Sequence, residues 1–231
     1  MGRWVAARAG FERGGESNRA GFASTIVEMS DTFSLSLWYP QMQMATLDEK
    51  LGAVLRLFAE HGGERGVFSA TVWPVNWREA VVYQQVYGLG EHACQIDIAL
   101  EEAFEFVHAD YAWEFQIGWT LWEPEIVPGR PTEWERKNRL VRVLGYGPEF
   151  DEGAWAQEGH IRVDFGTDDA FLQEGLALDD RGLKCIEENV RQLIGLADAL
   201  EKETGASGRL LWSELGETLA DRLLARLNRV Q

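Results

Sequence analysis

Apolar and polar positions begin to alternate at Thr32. Phe33, Leu35, Leu37 and Tyr39 alternate with Thr32, Ser34 and Ser36, a period of two that predicts a half-buried strand ended by Pro40. The period then changes. Leu47, Leu51, Val54, Leu55 and Phe58 make one helical stripe, and Gly62-Gly63 supply its stop. Thr46 and Glu49 have the spacing of a capping box, in which hydroxyl and carboxylate each satisfy a free backbone N–H at the helix start. Residues 67–73 and 80–87, rich in Val, Tyr and aromatic side chains, predict two further strands divided by Pro74. Ile96, Leu100, Ala103, Phe104 and Val107 predict a second helix. Trp113, Phe115, Ile117, Trp119 and Leu121 then alternate with Glu114, Gln116 and Thr120 as a fourth strand.

The order β-α-β-β-α-β is that of a ferredoxin-like, split-βαβ unit, so the expected fold is α+β with an antiparallel sheet carrying both helices on one face. This half is expected over 30–122, and a linker loop over 123–138, where Pro124, Pro128, Gly129 and Pro131 cluster. A C-terminal α+β half of order ββαβα is expected over 139–231, packed on the first or extending it. Its strands are predicted at 140–144, 161–165 and 210–212. Its long helix carries Ile186, Val190, Leu193, Ile194, Ala197 and Leu200 on one face and ends before Gly205. A last helix is expected after Ser213, with Leu215, Leu219, Leu223 and Leu227 inward.

Residues 1–29 are different in kind. They are rich in Gly, Ala, Arg and Ser without sustained periodicity, and Arg8 interrupts the only short apolar run. They read as a disordered leader or a mis-called upstream extension, with Met29 a natural start.

Charge changes the picture next. The chain's formal net charge is -16, while the first 29 residues hold four Arg against three Glu, so the acid surplus belongs to the predicted domain. A broad phosphate-contacting surface needs clustered Lys and Arg, so nucleic acid is excluded as a partner and a basic protein favoured. Every hydrophobic run is broken within a few positions, which argues against a membrane helix. Only two cysteines occur, Cys94 and Cys185, far apart and outside metal spacing. Neither a disulfide framework nor a zinc site is indicated, and a reducing, bacterial-type cytoplasm is expected.

Asp97, Glu101 and Glu105 fall at i, i+4 and i+8 on the second helix, an acidic ridge suited to a cationic partner. Trp38, Trp73 and Trp122 each precede a proline closely at a strand end. With Trp77 they suggest aromatic contact residues, and Trp73, Trp77 and Trp122 join the acidic three as candidate partner-binding positions. His92 and Cys94 lie near the same helix start, where the helix dipole would lower the thiol pKa. Cys94 is therefore the candidate nucleophile, with His92 or His108 as base. Glu105 and His108 form a single Glu-x-x-His pair, insufficient for a di-metal site. Asp164, Asp168 and Asp169 lack the spacing of a calcium loop and read as an Asp-rich turn after a strand. Nucleophile elbow, phosphate loop, dinucleotide fingerprint and zinc-protease motif are all missing from the sequence.

The leading expectation is a non-catalytic acidic protein-binding module without cofactor or metal, of the immunity-protein kind that inhibits a basic toxin or effector. The alternative is an enzyme of unstated reaction using Cys94. A homo-oligomer joined through exposed tryptophans is the third reading.

Overall fold

In a computed structural model, residues 32–173 and 176–213 are described, together with Arg222. The predicted leader and the predicted helix beyond Ser213 fall outside these, apart from the isolated Arg222.

The alternating run forms β1 (Thr32–Trp38), with Phe33, Leu35 and Leu37 wholly inside. The helical stripe forms α1 (Leu47–Gly62), and Gly63 stops it in the left-handed conformation, φ 92. The capping box does not form. Residues 44–46 make a 3-10 turn ahead of the helix, the Thr46 hydroxyl donates to the Gln43 carbonyl, and the Glu49 N–H is taken by Asp48. Next come β2 (Gly63–Pro74), the short β3 (Tyr83–Val86), α2 (Ile96–Phe104) and β4 (Tyr111–Glu125). The second half supplies β5 (Glu133–Tyr146), the single-turn α3 (Trp155–Glu158), β6 (Ile161–Thr167), the single-turn α4 (Asp169–Leu172), α5 (Asp180–Thr204) and β7 (Gly208–Ser213). Asp179 caps α5 through a 2.7 Å bond from the Gly182 N–H.

All seven strands join one antiparallel sheet in the order β3-β2-β4-β5-β6-β1-β7. The fold is thus α+β. The first six elements keep the expected chain order, but β1 pairs with β6 and β7, both from the second half, and not with β2, β3 or β4. A ferredoxin-like unit closed within residues 30–122 is not what the pairing gives, because hydrophobic period orders elements without choosing their partners.

The expected linker is also largely strand. β4 and β5 form a long ribbon whose register runs from Ala112↔Tyr146 to Glu125↔Glu133. β2 accompanies β4 only as far as Trp119, leaving the far edge of β4 open beyond it. There α5 replaces a strand. Asn189, 1% exposed, accepts the Trp122 N–H at 2.9 Å and donates to the Trp122 carbonyl at 2.9 Å and to the Ala170 carbonyl at 2.7 Å. Trp122 therefore points its backbone groups away from β5, and so does Pro124 two residues on, where a missing N–H costs no ladder bond.

The helices α1, α2 and α5 cover one face of the sheet. At its centre Trp119 packs on Phe58, Phe165 and Phe171, with Phe33 stacked on Phe165 at 4.9 Å. Gly145 of β5 is where α1 presses closest, since a Cβ there would lie 2.5 Å from Leu51. The opposite face carries a smaller cluster of Ala112, Leu144, Tyr146 and Phe150 with Trp73, Trp77 and Trp155. Beyond it lies a polar ladder in which Asp164 meets Arg142 and Arg162, Arg162 donates to Ser34, and Trp212 donates to Ser36. Among the described residues no helix is long and apolar enough to cross a membrane.

Candidate functional site

Cys94 lies two residues before α2 begins, with its backbone fixed by a two-bond bridge to Val67 at 2.8 and 2.9 Å. The backbone N–H of Ala99 in the first turn of α2 and the Tyr87 hydroxyl favour the thiolate, as the sequence position suggests, but larger effects oppose them. Burial pushes its thiol pKa up, and the nearby Glu102 carboxylate adds to the rise. Glu102 is held there by two phenols: Tyr87 donates to it at 2.6 Å and Tyr83 at 2.9 Å. These bonds lower the Glu102 pKa, so the negative charge facing Cys94 persists. The two candidate bases are exposed. His92 ends a 3-10 turn, and His108 is paired with Asp110. Among the described residues no hydrogen bond joins either imidazole to the Cys94 sulfur, so the surroundings disfavour a thiolate.

The acidic ridge is where the spacing placed it. Asp97, Glu101 and Glu105 are all exposed along α2 and its C-terminal cap. Arg56 of α1 reaches Asp97. Among the described residues Glu101 and Glu105 meet no Lys or Arg. Beside them Ile98, Phe106 and Val107 leave 44%, 37% and 56% of their surface in solvent, so the ridge is interleaved with apolar side chains.

Several acids of the other half are spent internally. Asp164 pairs with Arg142 and Arg162, Asp168 with Arg222, Asp169 with Arg139, and Glu188 with Arg136. The Asp-rich turn is therefore structural. Three further carboxylates, Glu125, Glu133 and Glu135, converge at the tip of the β4–β5 ribbon, all exposed.

The candidate tryptophans do not make one patch. Trp73 and Trp77 meet edge to face at 5.6 Å in the cluster on the second sheet face. Trp122 lies ten positions further along β4 than Ala112, the residue opposite Trp73, which is on the order of 33 Å of strand. There it stacks under Arg136 and donates to Glu188 at 2.9 Å.

A second site went unseen in the sequence. Where β1 and β5 leave the sheet and β6 enters it, a cleft of about 350 Å³ opens, lined by Tyr39, Met42, Met44, Tyr146, Trp155 and His160 among others. His160 is fixed at its floor. Its backbone N–H donates to the Leu37 carbonyl at 2.9 Å, and its Nδ1 accepts the Tyr39 N–H at 3.0 Å, so the ring serves where a backbone carbonyl would. Gly159 makes this possible, with φ 90 and no room for a Cβ, which would lie 2.8 Å from the Leu37 nitrogen. Trp155 stacks on the imidazole at 4.6 Å and 10°. Burial lowers the His160 pKa, and because Nδ1 is an acceptor, the neutral ring carries its proton on Nε2. The two phenols of the cleft are occupied too: Tyr39 donates to Thr204 at 3.0 Å and Tyr146 to Glu158 at 2.6 Å. Burial pushes the Tyr39 pKa up to about 12 and raises that of Tyr146 as well, where the Glu158 charge adds to it. The cleft therefore holds groups suited to binding and lacks a free base.

Comparison with protein-family models, with curated proteins and with solved structures finds no match to the chain. The fold and its two candidate surfaces thus define a class only, an α+β protein built on one antiparallel sheet.

Proposed function

We propose that this chain is a non-catalytic binding module that docks a basic protein through the outer side of α2, as an immunity-type inhibitor masks a toxin or effector. The observation that carries the reading is the coincidence of exposed carboxylates and exposed apolar side chains along α2 and the turn that follows it. Glu101 and Glu105 are without an internal cation among the described residues, and Ile98, Phe106 and Val107 stand beside them. Like charges at helical spacing cost stability in the free protein. A cationic partner removes that cost, the apolar side chains supply area, and the carboxylates steer approach and set register. The raised Cys94 thiol and the occupied nitrogen of His160 support binding over chemistry.

The test is capture of basic proteins on the immobilised chain at stepped salt, wild type against Asp97→Ala/Glu101→Ala/Glu105→Ala. The triple variant loses the exposed Asp97–Arg56 pair but is relieved of like-charge repulsion, effects each of a few tenths to about 1 kcal/mol, so circular dichroism should show it folded. Partner retention should fall about tenfold, since desolvated interfacial charges contribute more than the ~0.2–1 kcal/mol of exposed pairs. Equal capture with an equal salt dependence overturns the reading.

A further inference from the structure

The cleft at the β1–β5–β6 end is not needed for docking on α2, and its lining is of a different chemistry. We propose that it is a binding site for an uncharged, planar aromatic molecule carrying a hydrogen-bond acceptor. Its walls are Tyr39, Tyr146 and Trp155, its flexible side is Met42 and Met44, and its polar contacts come from Gln41, Gln43 and His160.

Three features select that class. First, charged residues are 26% of the chain, yet among the described residues none lines the cleft: Lys50 lies over the Tyr39 ring, and Glu158 behind Tyr146 is paired with Arg162, so neither an anion nor a cation finds a counter-charge in the lining. Second, the parallel Trp155–His160 stack offers a flat wall, and two unbranched thioethers adapt to the opposite surface of a planar guest. Third, with both phenols of the cleft already donating elsewhere, His160 offers a donor held in a fixed direction. With Nδ1 committed to the Tyr39 N–H, the Nε2–H has no protein partner among the described residues and can meet a carbonyl or ring nitrogen of the guest. The volume of about 350 Å³ falls within the range of small-molecule sites and suits about two or three fused rings. Gln41, on the rim, is held at φ 52, a left-handed conformation that non-glycine residues adopt at a cost.

The probe is Prodan, a neutral naphthalene ketone whose emission reports both the polarity around it and hydrogen bonding to its carbonyl. The full chain should bind it 1:1 with a micromolar dissociation constant and a blue shift of emission. Met42→Glu and Met44→Glu place a charge in the cleft and should weaken binding at least tenfold. Gln43→Glu, at an exposed rim position that does not threaten folding, should weaken it about threefold. Ile194→Glu on the exposed side of α5 should change nothing. Urea midpoints of all four variants show whether they are folded, and Gln43→Glu decides the matter if the methionine variants are not. Competition separates the ligand classes: neutral quinolin-2-one should displace the probe, whereas choline and benzoate should not. The proposal is overturned if wild type fails to bind the probe 1:1, if folded cleft variants bind it as wild type does, or if choline or benzoate displaces it as well as quinolin-2-one.

Discussion

Replacing Asn189 tests whether a side chain stands in for the missing strand beside β4. The amide makes three hydrogen bonds, two to the backbone of Trp122 and one to the carbonyl of Ala170, and it is 1% exposed. Asn189→Leu keeps the volume and removes all three, leaving one N–H and two carbonyls without protein partners. A buried backbone group left unpaired costs about 1–3 kcal/mol. Trp122 is half-buried, so water recovers part of that, and a net loss of about 3–5 kcal/mol is expected against a typical total of 5–15 kcal/mol. Urea unfolding followed by tryptophan fluorescence and by far-ultraviolet circular dichroism measures it. Asn189→Asp refines the test. One carboxylate oxygen still accepts the Trp122 N–H, but the other faces two carbonyls, so the folded protein favours the protonated acid and raises its pKa. Between the unfolded and folded pKa values the folded state then binds more protons, and the deficit relative to wild type should shrink as pH falls. If Asn189→Leu unfolds within about 1 kcal/mol of wild type, α5 does not complete that edge, and the account of why Pro124 is tolerated in β4 fails with it.

Two further outcomes follow from the titratable groups. His160 has a lowered folded-state pKa, so the unfolded chain binds the extra proton; stability contributed by the neutral ring is present above about pH 6.5 and lost as pH falls below it. The difference in urea midpoint between wild type and His160→Asn should therefore change across that window, and a difference independent of pH between 5 and 8 contradicts it. Cys94, with its thiol raised by burial and Glu102, should react with a thiol-directed reagent only at a pH above the usual ~8.5 midpoint in a Cys185→Ser background; labelling with a midpoint near neutrality would restore the nucleophile reading.

Local pattern carried the elements and stopped short of their partners. The stripes of α1 and α5 and the alternation of β1, β4 and β6 are visible as residue types because each buries one side against the same core. That core is shared between the halves: Phe33 from the first strand and Phe165 and Phe171 from the second half stack together. No period in either segment specifies that meeting, so the order β-α-β-β-α-β suggested a self-contained unit. Pro124, Pro128 and Pro131 misled in another way. They are loop formers in general, but Pro124 lies on an edge where its N–H was not required, a fact fixed by Asn189 many residues later. Thr46 and Glu49 had the capping spacing, and the 3-10 turn upstream redirected both backbone and hydroxyl.

The candidate sites divide along the same line. The acidic ridge was legible because its three carboxylates share one helix, and periodicity alone brings them together. The cleft was not, since Tyr39 and Met42 must meet Tyr146, Trp155 and His160 across more than a hundred positions, and a solitary histidine carries no spacing to interpret. One trace was present all the same: residues 32–47 contain no charged side chain in a chain that is 26% charged. The strand explains the first part of that run through burial. It does not explain Gln41, Gln43 and Ala45, which are exposed, where solvent would have accepted a Glu or Lys without cost. Neutrality at exposed positions beside Met42 and Met44 is what an uncharged guest would require of a rim. The same feature accounts for the cleft's empty charge inventory and for the sequence run, so substitution at Gln43 bears on both.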